Sequence, residues 1–563
     1  MPAPSSPPPA SEAFLNRRAQ AFPKLTDAQV ARVGRIATTV ELPEGSLLFD
    51  EGDYGIPFFV VLEGAVAIVH PNGSEEELIT VHGPHDFTGE MSMLAGRRTL
   101  TRARATKPSR LLRVERPQFR NLMQTDSELS EVCMRAFILR RVGLLQGALG
   151  DAIVSGSRLS AATLRVQAFL TRNSHPHRYI DIDAEPDVPS LLDGFKVKVA
   201  DLPVLICRGE KVLKNPSNAE IADCLGFNRA IAPDAKHDVI IVGAGPAGLA
   251  AAVYAASEGL DVLVLEATAP GGQAGSSSKI ENYLGFPTGI SGQALAQRAL
   301  SQAEKFGAKL AIVAGAARLH CERMPYHVEV EGGGCFSARA IVIATGAEYR
   351  RLELANLKRF EGVGVYYGAT FLEAQRCAAD EVIVVGGGNS AGQAAVFLAQ
   401  TSRHVHILIR GQSLAASMSN YLIRRIEESS NITLYAGSEI VELRGSESLE
   451  GVVWRDRAGA CTVLPIQHVF SMTGAKPNTE WLQGCLELDE KGFILTGHQA
   501  SPETCQAVAA PRFGARPSAE YETSLPRVFA VGDVRSGSTK RVAAAVGEGS
   551  ACISLVHRAL AEA

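Results

Sequence analysis

Several signals that would tie a chain to metal, membrane or nucleic acid are missing. None of the ten cysteines falls in a CxxC pair, so neither a zinc knuckle nor a local dithiol is written anywhere in the sequence. There is no excess of one charge: 56 Lys and Arg stand against 60 Asp and Glu, a net of −4, which leaves no basic field for nucleic acid or an anionic membrane. The opening MPAPSSPPPASE lacks the basic start and apolar core of a secretory leader, and residues 1–19 read as a disordered lead. One uncharged run, Val239 to Ser257, has the length of a membrane span, but Gly243, Gly245, Pro246 and Gly248 punctuate it where a strand would turn into a helix. No transmembrane segment is expected, and the scattered cysteines suit a reducing cytoplasm.

What is present is length, glycine and repetition. At roughly 150 residues per domain, 563 residues make three to four domains, each able to bury its own core. Hydrophobic content of 46 % with 53 glycines and 6 % aromatics suits glycine-rich α/β folds. From Glu41 to Arg113, short alternating apolar runs broken by glycines (SLLFDEGD, FFVVLEGAVAIV, RLLRVE) predict an antiparallel β-roll. Helical periodicity from Pro117 to Leu149 puts Phe119, Leu122, Leu129 and Val132 on one stripe. Asp151 to Asn228 reads βαβα, β, β and α, with Ser217 and Glu220 as a capping box on the last helix. The polar segment from Asn228 to Asp238 reads as a linker.

The remainder repeats itself. DVIIVGAGPAGLAAAVYAA at Asp238 and EVIVVGGGNSAGQAAVFLA at Glu381 share a strand, a glycine turn and a helix. Each is a dinucleotide-binding βαβ unit. In the first, Gly243 permits the tight turn, Gly245 lets backbone approach a pyrophosphate, and Gly248 lets the helix pack on the strand. Glu266 ends the next strand, where a carboxylate binds ribose hydroxyls. In the second, Gly386, Gly388 and Ala391 form the loop, and Arg410 ends the following strand where an acid would select NAD. An arginine there pairs a 2′-phosphate and favours NADPH.

Residues 237 to 558 resemble the low-molecular-weight thioredoxin reductase family. The resemblance rests on GAGPAG (Gly243 to Gly248), APGGQAG (Ala269 to Gly275), KIENYLGFP (Lys279 to Pro287), ATGA (Ala344 to Ala347), GGGNSA (Gly386 to Ala391) and VFAVGDV (Val528 to Val534). It implies two Rossmann-like three-layer domains for FAD and NAD(P)H, split as 237–350 with 479–563 and 351–478, and a homodimer. It also implies that Gly272, Gln273 and Asn282 meet the flavin end, Asp533 the ribityl chain, Arg541 and Val542 the isoalloxazine edge, and Asn389 the nicotinamide cofactor. The family commonly has a His-Arg-Arg cluster at the 2′-phosphate, whereas this chain has Ile409, Arg410 and Gly411.

The chemistry departs from the family at one place. Where thioredoxin reductases have Cys-Ala-Thr-Cys-Asp, this chain has Gly368, Ala369, Thr370, Phe371 and Leu372, so both sulfurs and the acid are gone. Thiol exchange needs an attacking thiolate in contact with a leaving sulfur, so this segment carries no disulfide relay. The nearby Cys377 reads as a small buried hydrophobe. Cysteine-free relatives of this fold include thioredoxin-reductase-like ferredoxin/flavodoxin–NADP reductases, which implies a redox protein or a small molecule as electron acceptor.

Two further resemblances cover the front of the chain. Residues 149–228 resemble a thioredoxin/glutaredoxin-like domain in which Ser157-Arg158-Leu159-Ser160 replaces CxxC, Pro203 takes the cis-proline position and Cys207 is strand core. Residues 20–148 resemble the cyclic nucleotide-binding domain on PEGSLLFDEGD, FFVVLEGAV and FTGEMSMLAGRRTLTRARA. That resemblance implies Gly89 and Glu90 at the ribose hydroxyl, with Arg98 and Thr99 at the cyclic phosphate. The cassette is short, Leu100 replaces a usual alanine and Arg97 competes for the phosphate. No helix-turn-helix pattern follows Leu149, which argues against a DNA-binding regulator.

The expected fold class is therefore multidomain, a β-roll, a thioredoxin-like α/β unit and two Rossmann-like domains. The expected function is an FAD-dependent NADPH oxidoreductase without the dithiol, open to regulation by a cyclic nucleotide. Two other functions stay open: a cyclic-nucleotide or redox sensor with little turnover, and a thioredoxin-disulfide reductase using thiols elsewhere, such as Cys321 and Cys335. The stretch from Thr496 to Leu525, with Cys505, carries no assignment.

Overall fold

The alternating apolar runs at the front form two facing antiparallel sheets. One orders strands Thr38–Leu42, Ser109–Val114 and Phe58–Glu63. The other orders Leu47–Phe49, Arg102–Ala105, Val66–Asn72 and Glu75–His82. Helix α1 (Asp27–Gly34) starts on a Thr26/Gln29 capping box, and α2 (Met91–Ala95), α3 (Arg116–Thr125) and α4 (Ser127–Gln146) complete the unit. Phe58, Phe87, Phe119 and Phe137 pack at its centre, with the Phe58 and Phe119 rings stacked at 4.3 Å. The single helix expected from Pro117 is two helices. Asp126 takes an extended conformation between them, and its carboxylate accepts the Leu129 amide at 3.0 Å, so a residue that caps the second helix breaks the first. The structure, a computed structural model, describes residues 19–72, 75–146, 151–158, 160–184, 201–207, 211–228, 235–446, 448–482, 484–500 and 519–562. The expected disordered lead apart from its last residue, Leu159, most of the linker, and the centre of the Thr496–Leu525 stretch with Cys505 lie outside the described residues.

A four-stranded sheet follows in the order Lys211–Lys214, Val204–Cys207, Ala152–Gly156, Arg178–Asp181. The last pair is parallel and the other two antiparallel. Helices α5 (Ala161–Arg172) and α6 (Asn218–Leu225) pack on it, α6 opening on the Ser217/Glu220 capping box read in the sequence. The Leu202–Pro203 bond is cis, and Cys207 is fully buried on its strand. This middle unit shares its core with the next one, since Ile312 is buried among Phe169, Leu205 and Ile221. Asn228 brackets Ile312, donating to its carbonyl at 2.6 Å and accepting its amide at 2.8 Å.

The two glycine-loop units each build a parallel sheet, and their central strands are apolar on both faces because helices cover one face while antiparallel strands and the segments beside them cover the other. In the first, Lys309–Ile312, Val262–Glu266, Lys236–Val242, Gly334–Ile343 and Val528–Ala530 run parallel, and Tyr326–Val330 with Ala316–His320 extend the sheet antiparallel. Helices α7 (Pro246–Ser257), α8 (Gly292–Phe306) and, after α9 (Phe371–Arg376), α10 (Asn389–Leu398) and α11 (Asn420–Glu428) of the second unit, the long α12 (Val542–Ala561) follow in chain order. The second unit orders Val365–Tyr366, His468–Ser471, Glu381–Val385, His404–Ile409 and Ile432–Ala436 in parallel. A three-stranded antiparallel sheet, Glu439–Arg444, Gly451–Arg455 and Cys461–Leu464, flanks it. A two-stranded link, Ala347–Tyr349 with Ala475–Pro477, joins the two units. Among the described residues no helix is long and apolar enough to cross a membrane.

Candidate functional site

The first glycine loop is built as its sequence requires. Gly243 has φ +103°, and a side chain there would run into the Ala344 backbone. A Cβ at Gly248 would overlap the Gly243 carbonyl, so helix α7 can start this close to the strand only without one. Gly245 faces Gly272, whose own Cβ would approach the Gly245 Cα to 3.1 Å. The two loops thus meet backbone to backbone beside the first turn of α7. Glu266, at the end of its strand, accepts the Ala244 amide at 2.8 Å, Thr268 at 2.9 Å and Ala269 at 3.1 Å, and so anchors the loop that carries Gly272.

Other expected flavin-side residues gather around these loops to different degrees. Gly532 packs on Ala247 of α7 and brings half-buried Asp533 to the helix start. Burial raises the Asp533 carboxyl above the usual carboxylate range, with Lys540 opposing. The Gln273 amide donates to the Ala347 carbonyl, at the link between the nucleotide units. Val542 is the first residue of α12 and Arg541 its N-cap. Arg541 and Asn282 are exposed.

The second loop repeats the design. Gly386, at φ +141°, would strike the Met472 carbonyl with any side chain, Gly388 opens onto free space, and Ala391 is fully buried. Asn389 also holds the neighbouring helix: its Oδ1 accepts the Ser419 amide at 2.7 Å at the start of α11. Arg410 is exposed at the end of its strand, and Arg457, from the turn between two flanking strands, donates to the Arg410 carbonyl at 3.2 Å. Sequence spacing missed this second cation because it lies on another element.

The dithiol position carries no sulfur. A Cβ on Gly368 would sit 3.6 Å from the Ser276 Cβ, so this segment lies against the flavin-side loop. Thr370 and Glu373 cap α9, the Thr370 amide donating to Glu373 at 2.9 Å. Cys377 is fully buried, and burial pushes its thiol up from the usual range. The two nucleotide units also meet where Arg425 of α11 pairs with Glu281.

These are the features that relatives share. Residues 237–549 match the model of the pyridine nucleotide-disulphide oxidoreductases, and residues 39–126 match the cyclic nucleotide-binding domain. The chain belongs to the pyridine nucleotide-disulphide oxidoreductase family. A thioredoxin reductase of Mycolicibacterium smegmatis is 33 % identical over 332 residues, covering 58 % of this chain and 97 % of its own. One of Listeria monocytogenes is 32 % identical over 320 residues, covering 56 % of this chain and 90 % of its own. Among solved structures, the thioredoxin reductases of Lactococcus lactis and T. acidophilum superpose with TM-scores of 0.51, each over 58 % of this chain, at 27 % and 28 % identity and over 100 % and 99 % of their own length. The family uses FAD and NADPH, and this oxidoreductase is a flavoprotein of it with a cyclic nucleotide-binding domain in front.

That front domain touches the reductase through its cassette. Gly89, at φ +110°, packs against the Phe137 ring. Glu90 caps α2 and is buried, with neither carboxylate oxygen hydrogen-bonded; Arg141 lies 3.6 Å away. Thr99 is buried, its hydroxyl 3.3 Å from the Thr101 carbonyl. The Arg98 guanidinium turns out of the β-roll, pairing with the Tyr54 hydroxyl and donating to the Cys224 carbonyl of α6 at 3.4 Å. The cassette residues are thus placed near one another, but Arg98 is engaged by the middle unit. Its neighbour Arg97 reaches Glu304 of α8 at 3.5 Å, and burial raises that acid above the usual range, with Arg97 opposing.

Of the two distant thiols considered for a disulfide reductase, Cys321 is already in a disulfide. Cys321 is joined to Cys485 across 164 residues, and both halves are buried. Cys335 is exposed on its strand. The Cys321–Cys485 bond closes the core between the antiparallel extension and the segment after Trp481, a pairing that only the fold creates. Among the described residues no cluster of three His, Cys, Asp or Glu is placed to hold a metal.

Proposed function

We propose that this oxidoreductase takes hydride from NADPH onto FAD and passes electrons from the flavin directly to an external acceptor. The observation that carries this reading is the segment at residues 368–371, which lies against the flavin-side loop where relatives place a dithiol and contains none. FAD, when bound, supplies hydride acceptance and electron release. In this reading Gly243, Gly245, Gly248 and Gly272 receive its pyrophosphate, Glu266 its ribose and Asp533 its ribityl chain; the side-chain-free contacts of the glycines and the packing of Gly532 on α7 support it. Gly386, Gly388 and Ala391 cradle NADPH, with Arg410 and Arg457 as cations for its 2′-phosphate. With no dithiol at residues 368–371 to receive electrons, the acceptor reaches the flavin itself, as a ferredoxin- or flavodoxin-like protein or a small oxidised molecule.

Anaerobic mixing with NADPH should bleach the flavin band at about 450 nm. Reoxidation should follow on adding a ferredoxin, a flavodoxin or a quinone, and thioredoxin disulfide should give no turnover. Persistent colour after NADPH would refute hydride transfer, and rapid thioredoxin reduction would refute the direct route.

The front units suit control of this reaction by a cyclic nucleotide at Gly89, Glu90, Arg98 and Thr99. Support comes from wiring: Glu90 neighbours Arg141, and Arg141 donates to the Ser174 carbonyl at 2.7 Å, beside the flavin loop. A ligand that claims Glu90 or Arg98 must compete with these contacts. We read residues 20–148 as the sensor, 149–228 as a thioredoxin-like spacer without CxxC, 237–350 with 479–563 as the FAD domain and 351–478 as the NADPH domain. The strand order of the middle sheet, two parallel strands at one edge and two antiparallel at the other, supports the thioredoxin-like reading.

A further inference from the structure

The middle unit has no CxxC of its own to offer, yet it is fastened to the cofactor loop more firmly than a spacer requires. Its helix α5 ends against that loop. Arg172 donates to the Gly272 carbonyl at 3.4 Å, and Asn173, buried to 3 % exposure, donates to the Thr268 carbonyl at 3.1 Å and the Phe169 carbonyl at 2.9 Å. From the other side, Gln293 of α8 donates to the Thr171 carbonyl at 2.8 Å, and Gln297 pairs with Ser174.

The loop needs such holding. Gly271 and Gly272 have φ of +104° and +54°, a conformation that costs entropy and that no regular ladder stabilises. Its charge is also unfavourable for an anion, because Glu266 lies at its root. Arg172 lies within electrostatic reach of both Glu266 and Glu373. Burial pulls its guanidinium below the usual arginine range, and the two acids hold it up. One cation from an added unit is therefore felt by an acid of each nucleotide unit, while its guanidinium donates to the Gly272 carbonyl.

We propose that Arg172 and Asn173 are positioning residues for FAD: they hold residues 268–272 in the shape that receives the pyrophosphate, and the Arg172 charge offsets Glu266 there. The middle unit is then a part of the cofactor site contributed from outside the reductase fold. This rests on the flavin reading above.

The test uses the full chain stripped of flavin and titrated with FAD by fluorescence, for the parent, Arg172→Met and Arg172→Lys. Removing the charge should weaken FAD about tenfold and steepen its loss on dilution, whereas the lysine should restore most of the affinity. A loss from packing alone would weaken both variants alike, and that result overturns the proposal. So does parental affinity in Arg172→Met. Hydrogen exchange of the parent gives a check independent of any variant: FAD should protect residues 171–174 together with 268–276, and protection confined to the latter is equally contrary. A parent that never takes up FAD would overturn the flavin reading itself, a different outcome from a parent that binds while Arg172→Met binds as well.

Discussion

Arg141 joins two units through one guanidinium: its Nη2 donates to the Ser174 carbonyl at 2.7 Å while Nη1 lies 3.6 Å from the Glu90 carboxylate. Glu90 belongs to the cassette, and Ser174 follows the two residues that hold the flavin loop. A cyclic nucleotide that draws Glu90 to its ribose hydroxyl changes what Arg141 can hold. Arg141→Met should leave cAMP or cGMP binding nearly intact by calorimetry but abolish the ligand's effect on NADPH oxidation. Coupling through a contact of this kind is worth about 1–3 kcal/mol, or roughly 5- to 150-fold in affinity or rate. A ligand effect that survives the substitution would rule out this route.

Asp151 and His175 make a buried pair at 2.7 Å where the β-roll unit meets the middle unit. Burial opposes ionisation of Asp151, but the charge and hydrogen bond of His175 outweigh it and hold the carboxyl below the usual carboxylate range. An acid with a depressed folded value stabilises the fold above its unfolded value of about 3.9 and loses that contribution as pH falls through the folded value. Thermal melts should therefore show a stability loss below about pH 4 that Asp151→Asn lacks. At pH 7 the same substitution should cost about 3 kcal/mol, the usual result of breaking a buried pair.

The Arg457 guanidinium reaches the Arg410 backbone carbonyl although the chain separates the two residues by a helix, a strand and a hairpin. Replacing both by serine should raise KM for NADPH about tenfold or more, since a charge-assisted phosphate contact is worth about 1.5–3 kcal/mol. KM for NADH should stay unchanged. An equal rise for both cofactors would place the 2′-phosphate elsewhere.

Gly549 lets α12 lie directly on α7, and a Cβ there would overlap the Ala247 carbonyl. Because the obstacle is backbone at the start of the flavin-side helix, Gly549→Ala should destabilise the unit by about 1–3 kcal/mol. Flavin release on heating, followed by fluorescence, should shift to lower temperature.

Cys377 should be dispensable: its thiol is fully buried, and burial keeps it protonated. Cys377→Ser should take up hydride from NADPH at the parental rate in stopped flow. A large loss would place a thiol back in the electron path.

The spacing of GAGPAG and GGGNSA, the acid at Glu266, the arginine at 410 and the glycine and phenylalanine at the dithiol positions are all read within one or two dozen residues. They are legible because a turn against a phosphate needs glycine at set places whatever surrounds it, and because a missing sulfur is missing in any fold. The β-roll and the parallel sheets are equally legible, since their burial follows periods of two or unbroken apolar runs. Tertiary structure decided the rest. It placed Arg457 beside Arg410, turned Arg98 onto the Cys224 carbonyl, set Asn389 against Ser419, joined Cys321 to Cys485 and brought Arg172 to Gly272. Each of these pairs a side chain with a group on another element, chosen by how whole units pack, and no local pattern of residues encodes that choice.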